Sequence, residues 1–191
     1  TSTSENYDLT RQPVGLELIF GALACGSRPL GEQTVLDAGC GTGNYLAALL
    51  GKVARVEGVE LNSGMLETAR TKTAGRLELR LQQGSILELP IEDGSCDGVV
   101  VNYVLHHLED GSDASFTATQ KAIAEFQRVL APGGALIIQT CYHEQYRQGF
   151  WYSALIPAAI DRFMNRYMPL ELMEQGMSEV GLEPGGRLVS L

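Results

Sequence analysis

The segment Val35–Gly43 constrains the fold of this chain more than any other part of the sequence. A short apolar strand runs directly into three glycines at alternate positions, Gly39, Gly41 and Gly43, and a helical pattern begins immediately afterwards. Glycine allows a sharp backbone turn and lets a ligand approach the main chain. Because a buried strand, a glycine loop and a helix N-terminus in this order form a nucleotide cradle, the segment predicts a ligand-binding α/β fold.

Strand and helix patterns alternate along the whole chain, which predicts a doubly wound, mostly parallel α/β sheet in a single domain, 1–191. The predicted strands lie at roughly 34–38, 54–60, 77–83, 96–101, 135–141 and 186–191. The predicted helices lie at roughly 13–25, 43–51, 63–73, 115–130, 150–167 and 169–180. Ser63 is a predicted N-cap, and Pro132-Gly133-Gly134 predicts a helix stop and a turn before strand five.

Composition excludes several classes of function. The formal net charge is -9 and the 14 basic residues are dispersed, so a nucleic-acid substrate is disfavoured. No apolar run reaches the length of a membrane span, and no signal segment opens the chain. The four cysteines are far apart, which is typical of reduced thiols in a cytoplasmic protein and predicts no metal site.

The spacing of the glycine loop narrows the choice of ligand. Dinucleotide loops usually read G-x-G-x-x-G, whereas this loop reads G-x-G-x-G and is preceded by Asp37. The pattern resembles the first motif of class I S-adenosylmethionine (SAM)-dependent methyltransferases of the small-molecule, methyltransferase type 11 kind. SAM carries an ammonium and a sulfonium group but no phosphate, so an acid beside the loop suits SAM and repels a pyrophosphate. The resemblance covers about residues 33–141 and implies a Rossmann-like sheet of seven strands.

Two further motifs add candidate cofactor contacts. Glu60 ends strand two, where an acid can accept hydrogen bonds from both ribose hydroxyls, a requirement shared with NAD-binding folds. The resemblance places Leu61 and Met65 against the adenine. Ser85 stands where relatives commonly carry an aspartate that accepts from the adenine amino group, and Ile86 offers a backbone amide and an apolar face.

The fourth motif ends strand four. Asn102 is implied to lie beside the sulfonium end of the ligand, and Leu105-His106-His107-Leu108 follows it. Adjacent residues on a helix point about 100° apart, so the two histidines are not expected to chelate one ion. Either histidine packs structurally or contributes to catalysis, and His106 is the candidate for a catalytic role.

The flanks supply the candidates for the acceptor site. Family analogy makes 1–30 a lid and helix, in which Tyr7 and Arg11 approach the methyl donor and its carboxylate. In the C-terminal part, 142–191, His143 lies in an aromatic segment that either lines an acceptor pocket, with His143 as base, or packs against the next helix. The Asn-Pro-Pro-aromatic motif of nucleic-acid amino methyltransferases is missing, since Asn102-Tyr103-Val104 stands in its place.

The predicted sheet is one strand short of the family pattern. The chain stops after a sixth strand, so we expect either a truncated sequence or an edge that another chain completes. The sequence does not fix the oligomeric state.

The sequence as a whole predicts a SAM-dependent methyltransferase that yields S-adenosylhomocysteine and methylates a small molecule. Methyl transfer is an in-line displacement that mainly needs alignment of the reactants, and a base only where the acceptor must lose a proton. Two alternatives stay open: a non-catalytic SAM-binding or scaffold protein, and an NAD(P)-dependent oxidoreductase.

Overall fold

The computed structural model describes residues 12–141, 143 and 155–186, and these form two compact units. The first unit contains the described residues up to Asn102 together with Arg128–Ile138, and the second contains Tyr103–Gln127 and the described residues from Gln139 onward. The single-domain assignment for 1–191 stays a prediction.

The described elements alternate between helix and strand through the first unit, as the sequence predicted. The strands are β1 (Thr34–Ala38), β2 (Arg55–Glu60), β3 (Leu79–Gln83), β4 (Cys96–Asn102) and β5 (Leu130–Gln139). The helices are α1 (Leu16–Ala24), α2 (Asn44–Leu49), α3 (Ser63–Lys72), α4 (Thr117–Val129), α5 (Pro157–Met164) and α6 (Leu170–Glu179). Two short 3-10 helices cover Leu30–Glu32 and Leu105–His107.

The sheet has the strand order β3-β2-β1-β4-β5. The pairs β1–β2, β2–β3 and β1–β4 are parallel, with Asp37 opposite Gly58 on one side and Val100 on the other. The strand order therefore reverses between β1 and β4, and ligands of open α/β sheets bind at the carboxyl ends of the strands at such a point. The predicted α/β fold class with a parallel sheet is confirmed.

The core of the first unit explains why β4 reads as an unbroken apolar run. Val99, Val100 and Val101 are completely buried, as expected for a central parallel strand covered on both faces. One face of the sheet packs on side chains from α1 and α2, including Leu23 and Leu46.

Two local predictions need correction. The N-cap of α3 is Asn62 and not Ser63, because the Asn62 Oδ1 accepts from the backbone N–H groups of Gly64 and Met65 at 2.9 and 3.1 Å. The helix before strand five ends at Val129 as expected, but β5 already begins at Leu130 and includes the Pro-Gly-Gly segment. Gly133 keeps a turn-like φ of 75° within the strand, and its carbonyl accepts from the Ser27 N–H at 3.2 Å.

The second unit has a small core of its own, formed by Ile160, Met164 and Tyr167. Buried Glu109 accepts from both the N–H and the hydroxyl of Thr119, at 2.9 and 2.7 Å, and so holds the first turn of α4. Helices α5 and α6 lie within the predicted helices 150–167 and 169–180. Residues 144–154 and the predicted strand at 186–191, apart from Gly186, lie outside the described residues.

Candidate functional site

The glycine loop between β1 and α2 is held against β2. The N–H groups of Gly39 and Cys40 both donate to the Val59 carbonyl, at 2.8 and 3.0 Å. Gly39, Gly41 and Gly43 have φ values of 80°, 55° and 84°, in the left-handed region that only glycine adopts without strain. The alternate glycines are therefore required by the backbone of this loop.

Two of these glycines serve different steric purposes. A Cβ on Gly43 would lie 3.1 Å from the Cβ of Ala69, so this glycine lets the start of α2 approach α3 closely. A Cβ on Gly41 would meet nothing within 4 Å. The space over Gly41 is open, as a loop that receives a ligand requires.

Glu60 joins the glycine loop to the start of α3. Its Oε2 accepts from the Gly41 N–H at 2.9 Å, and its Oε1 accepts from the Asn62 N–H at 2.8 Å. The side chain is half-buried, and each carboxylate oxygen keeps a further lone pair. Glu60 is thus oriented by two backbone groups and can still accept hydrogen bonds from a pair of hydroxyls.

Asp37 is the second acid of the site, and it is 1 % exposed near the carboxyl end of β1. Burial, and then the negative charge of Glu60, raise the pKa of Asp37 to about 7, while the Asn102 side chain acts in the opposite direction. No hydrogen bond of good geometry joins the two side chains, because Asp37 Oδ2 and both polar side-chain atoms of Asn102 are buried without a hydrogen-bond partner among the described residues; Asn102 therefore acts on Asp37 as a nearby amide dipole. Unpaired buried polar atoms beside an open loop fit a ligand that carries both a positive charge and hydrogen-bonding groups.

The proton on Asp37 leads to a pH prediction. Between the ordinary pKa of 3.8 and about 7 the unfolded chain is ionised at this carboxyl while the folded chain keeps the proton. The contribution of Asp37 to the free energy of unfolding therefore falls as pH rises through this window and is constant above it. A cationic ligand favours the ionised form, so we expect the dissociation constant for SAM to be about tenfold lower at pH 8 than at pH 6.

Titration calorimetry and thermal unfolding across this pH range measure both effects. Asp37→Asn removes the titrating proton with little change of shape, so both pH dependences are expected to flatten. The matched control is Asp161→Asn, at an exposed position of α5, which is expected to keep them. An unchanged pH dependence in Asp37→Asn would contradict the assignment.

The residues that are predicted to contact the adenine have both apolar and polar side chains. Leu61 is 68 % exposed, and Met65 is half-buried. Ile86 is buried, and the Ser85 Oγ accepts from the Leu87 N–H at 3.1 Å, which fixes the turn after β3. The Ser85 hydroxyl proton remains available to a ligand, since only the oxygen is used in that contact.

The second unit brings together two of the three predicted catalytic candidates. The ring of His106 stacks on Tyr167, with centroids 4.6 Å apart and 12° between the planes. His143 Nε2 lies 3.1 Å from the Tyr167 carbonyl oxygen. Because a carbonyl only accepts, Nε2 carries the proton in this contact and Nδ1 is the basic nitrogen of neutral His143.

Tyr167 was missed by the sequence interpretation, because nothing in the local pattern separates it from any other buried helix-end aromatic. Tyr7 and Arg11 lie outside the described residues. No group of three potential metal ligands lies close together in the described ranges, and no helix within them is long and apolar enough to cross a membrane.

The chain is similar to known methyltransferases in sequence and in fold. A family model described as a methyltransferase domain matches residues 36–138. An uncharacterized methyltransferase of Mycobacterium bovis is 31% identical over 141 residues, covering 74% of this chain and 67% of that protein. The demethylmenaquinone methyltransferase of Staphylococcus aureus is 35% identical over 105 residues, which are 53% of this chain and 40% of that protein.

The fold also recurs among solved structures. The geranyl diphosphate C-methyltransferase of Streptomyces coelicolor, solved with Mg2+, geranyl diphosphate and S-adenosylhomocysteine, aligns with a TM-score of 0.64 and 19% identity. The alignment covers 90% of this chain and 61% of that one. This chain therefore spans about two thirds or less of the length of these proteins.

Proposed function

This chain belongs to the class I SAM-dependent methyltransferase family, and we propose that it transfers the methyl group of SAM to a small-molecule acceptor. The observation that carries the proposal is the arrangement at the carboxyl ends of β1 and β2. There an open left-handed glycine loop lies between a buried acid, Asp37, and a carboxylate oriented by two backbone amides, Glu60.

The described residues of the first unit fit SAM by charge and by hydrogen bonding. When bound, SAM supplies a methyl group on a positively charged sulfur, which is already activated for displacement. We assign Glu60 to the ribose hydroxyls, and Asp37 with Asn102 to the cationic methionine end. Leu61, Met65, Ser85 and Ile86 are assigned to the adenine. Gly41 is assigned to the ligand because the space over it is open, and Gly39 and Gly43 are assigned to the same loop because their positive φ values shape it.

The acceptor is proposed to be small rather than polymeric. A net charge of -9 is unfavourable for binding a nucleic acid, and two of the similar proteins named above are a demethylmenaquinone methyltransferase and a geranyl diphosphate C-methyltransferase. We propose His143 as the base for an acceptor that must lose a proton, with Nδ1 receiving it. We assign His106 a supporting role, because its ring stacks on Tyr167.

We also propose a cytoplasmic location, because the four cysteines are dispersed along the sequence.

A non-catalytic SAM-binding protein is the second candidate. It is favoured by Ser85, which replaces the carboxylate that relatives commonly carry at this position. An NAD(P)-dependent oxidoreductase would also use an acid at Glu60, but Asp37 beside the loop would repel a pyrophosphate.

The first experiment is isothermal titration of the chain with SAM, S-adenosylhomocysteine and NADH. We expect micromolar binding of the two SAM-type ligands and none of NADH. Incubation with methyl-labelled SAM and a small-molecule extract, with a matched RNA sample in parallel, then tests transfer. Label in the small-molecule fraction supports the proposal, label in RNA overturns the choice of acceptor, and binding without transfer to any fraction favours the non-catalytic candidate.

A further inference from the structure

The carboxyl end of β3 carries a glutamine whose side chain reaches across to the loop after β2. Gln83 is the last residue of β3, lies opposite Glu60 in the β2–β3 register and is exposed. Its Nε2 donates to the Leu61 carbonyl oxygen at 3.1 Å. Because a carbonyl only accepts, the nitrogen faces Leu61 and the other polar atom of the amide, Oε1, faces away from it. Gln83 Oε1 makes no hydrogen bond with the described residues, so it is a free acceptor whose orientation the Nε2 contact restricts.

This free acceptor lies among the residues that the proposed function assigns to the cofactor. Gln83 is paired in register with Glu60, which we assign to the ribose. Its side chain is hydrogen-bonded to the backbone of Leu61, which we assign to the adenine, and Ser85 follows two residues later in the chain. The Gln83 oxygen is therefore close to the position that the purine ring of a bound SAM would occupy.

Adenine presents a donor and an acceptor side by side, its exocyclic amino group and the ring nitrogen N1. The Ser85 Oγ already accepts from the Leu87 N–H at 3.1 Å, so the hydroxyl proton is the group that it offers to a ligand. A hydroxyl proton suits N1, whereas the amino group needs an acceptor. The backbone carbonyls of Leu61 and Ser85 already accept from Gln83 Nε2 and from the Glu88 N–H. Among these groups, Gln83 Oε1 is the acceptor that has no donor within the described residues.

We propose that Gln83 recognises the adenine of the cofactor, with Oε1 accepting a hydrogen bond from the exocyclic amino group while the Ser85 hydroxyl donates to N1. The inference rests on the proposed function, since it names the group that recognises the base of SAM. A glutamine amide also accepts from the adenine amino group when proteins read DNA bases. The Nε2 contact with Leu61 then has two effects, because it connects β3 to the loop after β2 and directs the oxygen towards the base.

Calorimetric titration of the whole chain with S-adenosylhomocysteine and with its deamino analogue, in which hydrogen replaces the exocyclic amino group, tests the proposal. The analogue keeps N1, so it loses only the proposed contact with Gln83. We expect the wild type to bind the analogue about tenfold more weakly than S-adenosylhomocysteine, because one hydrogen bond between neutral groups contributes about a factor of ten in affinity. Equal affinities of the wild type for the two ligands would overturn the proposal.

Two substitutions at Gln83 separate recognition of the base from the contact with Leu61. Gln83→Leu removes the amide, so we expect it to bind S-adenosylhomocysteine about tenfold more weakly and to bind the two ligands with equal affinity. Gln83→Glu keeps an acceptor but, when ionised, has no proton to donate to the Leu61 carbonyl, and we expect it to keep the preference for S-adenosylhomocysteine. Loss of the preference in both variants would assign the effect to the Leu61 contact and overturn the proposal.

Gln82→Leu is the matched control. Gln82 points to the opposite face of the sheet from Gln83, and its Nε2 donates to the Pro90 carbonyl, also at 3.1 Å. The variant loses the same kind of hydrogen bond and is expected to keep the wild-type preference, while circular dichroism checks the folding of every variant. A preference that persists in Gln83→Leu, or that Gln82→Leu loses equally, would overturn this inference alone. Absence of S-adenosylhomocysteine binding by the wild type would overturn the proposed function together with it.

Discussion

Replacing Glu60 with glutamine is expected to raise the dissociation constants for SAM and S-adenosylhomocysteine by about two orders of magnitude. Hydrogen bonds to a charged group contribute about 1.5–3 kcal/mol each, and the ribose hydroxyls lose the charge that accepts them. The amide also places an NH2 group against the N–H of either Gly41 or Asn62, so only one of these two N–H groups keeps an oxygen to donate to. Glu60→Gln is therefore expected to lose one of the two hydrogen bonds through which the residue 60 side chain connects the glycine loop to the start of α3.

Glu67→Gln is the control for this change. Glu67 lies on the exposed face of α3, and its ion pair with Arg70 has an N–O distance of 3.5 Å and is solvent-exposed, so its contribution is small. Calorimetric titration is expected to give wild-type affinities for this variant. Equal affinities of Glu60→Gln and Glu67→Gln for the SAM-type ligands would show that Glu60 does not contribute to their binding.

Gly41→Ala is expected to weaken the binding of both SAM-type ligands by more than tenfold. An alanine in the left-handed region costs about 1–2 kcal/mol of folding free energy. The added methyl group meets no protein atom within 4 Å, so it fills the space that the ligand is proposed to occupy. The loss of affinity should therefore exceed anything that backbone strain alone produces.

Gly75→Ala separates strain from ligand exclusion. Gly75 has a φ of 80°, and a Cβ there also meets nothing within 4 Å, but it lies after α3 and away from the glycine loop in sequence. Denaturant unfolding should show similar losses of stability in the two variants, while calorimetry should show weakened binding only in Gly41→Ala. Weakened binding in both variants would assign the effect to general destabilisation.

The part of the fold that could be predicted from the sequence is the part determined by local chemistry. Val99, Val100 and Val101 are completely buried, as an unbroken run of branched apolar residues requires of a central strand. The three loop glycines all have positive φ values, which their spacing between strand and helix indicated. The buried valines and the positive φ values of the glycines depend on residues that are neighbours in the sequence, so the sequence pattern alone indicates them.

Features that depend on distant parts of the chain could not be predicted in the same way. The two backbone contacts of Glu60 require the register that places Asp37 opposite Gly58. The approach of His143 and His106 to Tyr167 depends on how the second unit packs. The helix cap at Asn62 was missed because Ser63 is an equally suitable residue type, and only the backbone geometry separates the two.

The close approach of Gly43 to Ala69 also restricts how this protein can evolve. Gly43 immediately precedes α2 and Ala69 lies in α3, yet a side chain larger than a hydrogen atom at Gly43 already crowds the methyl group of Ala69. The φ of 84° already requires Gly43 to stay a glycine, so the steric restriction falls on Ala69. In diverging descendants of this chain, Ala69 is expected to remain small.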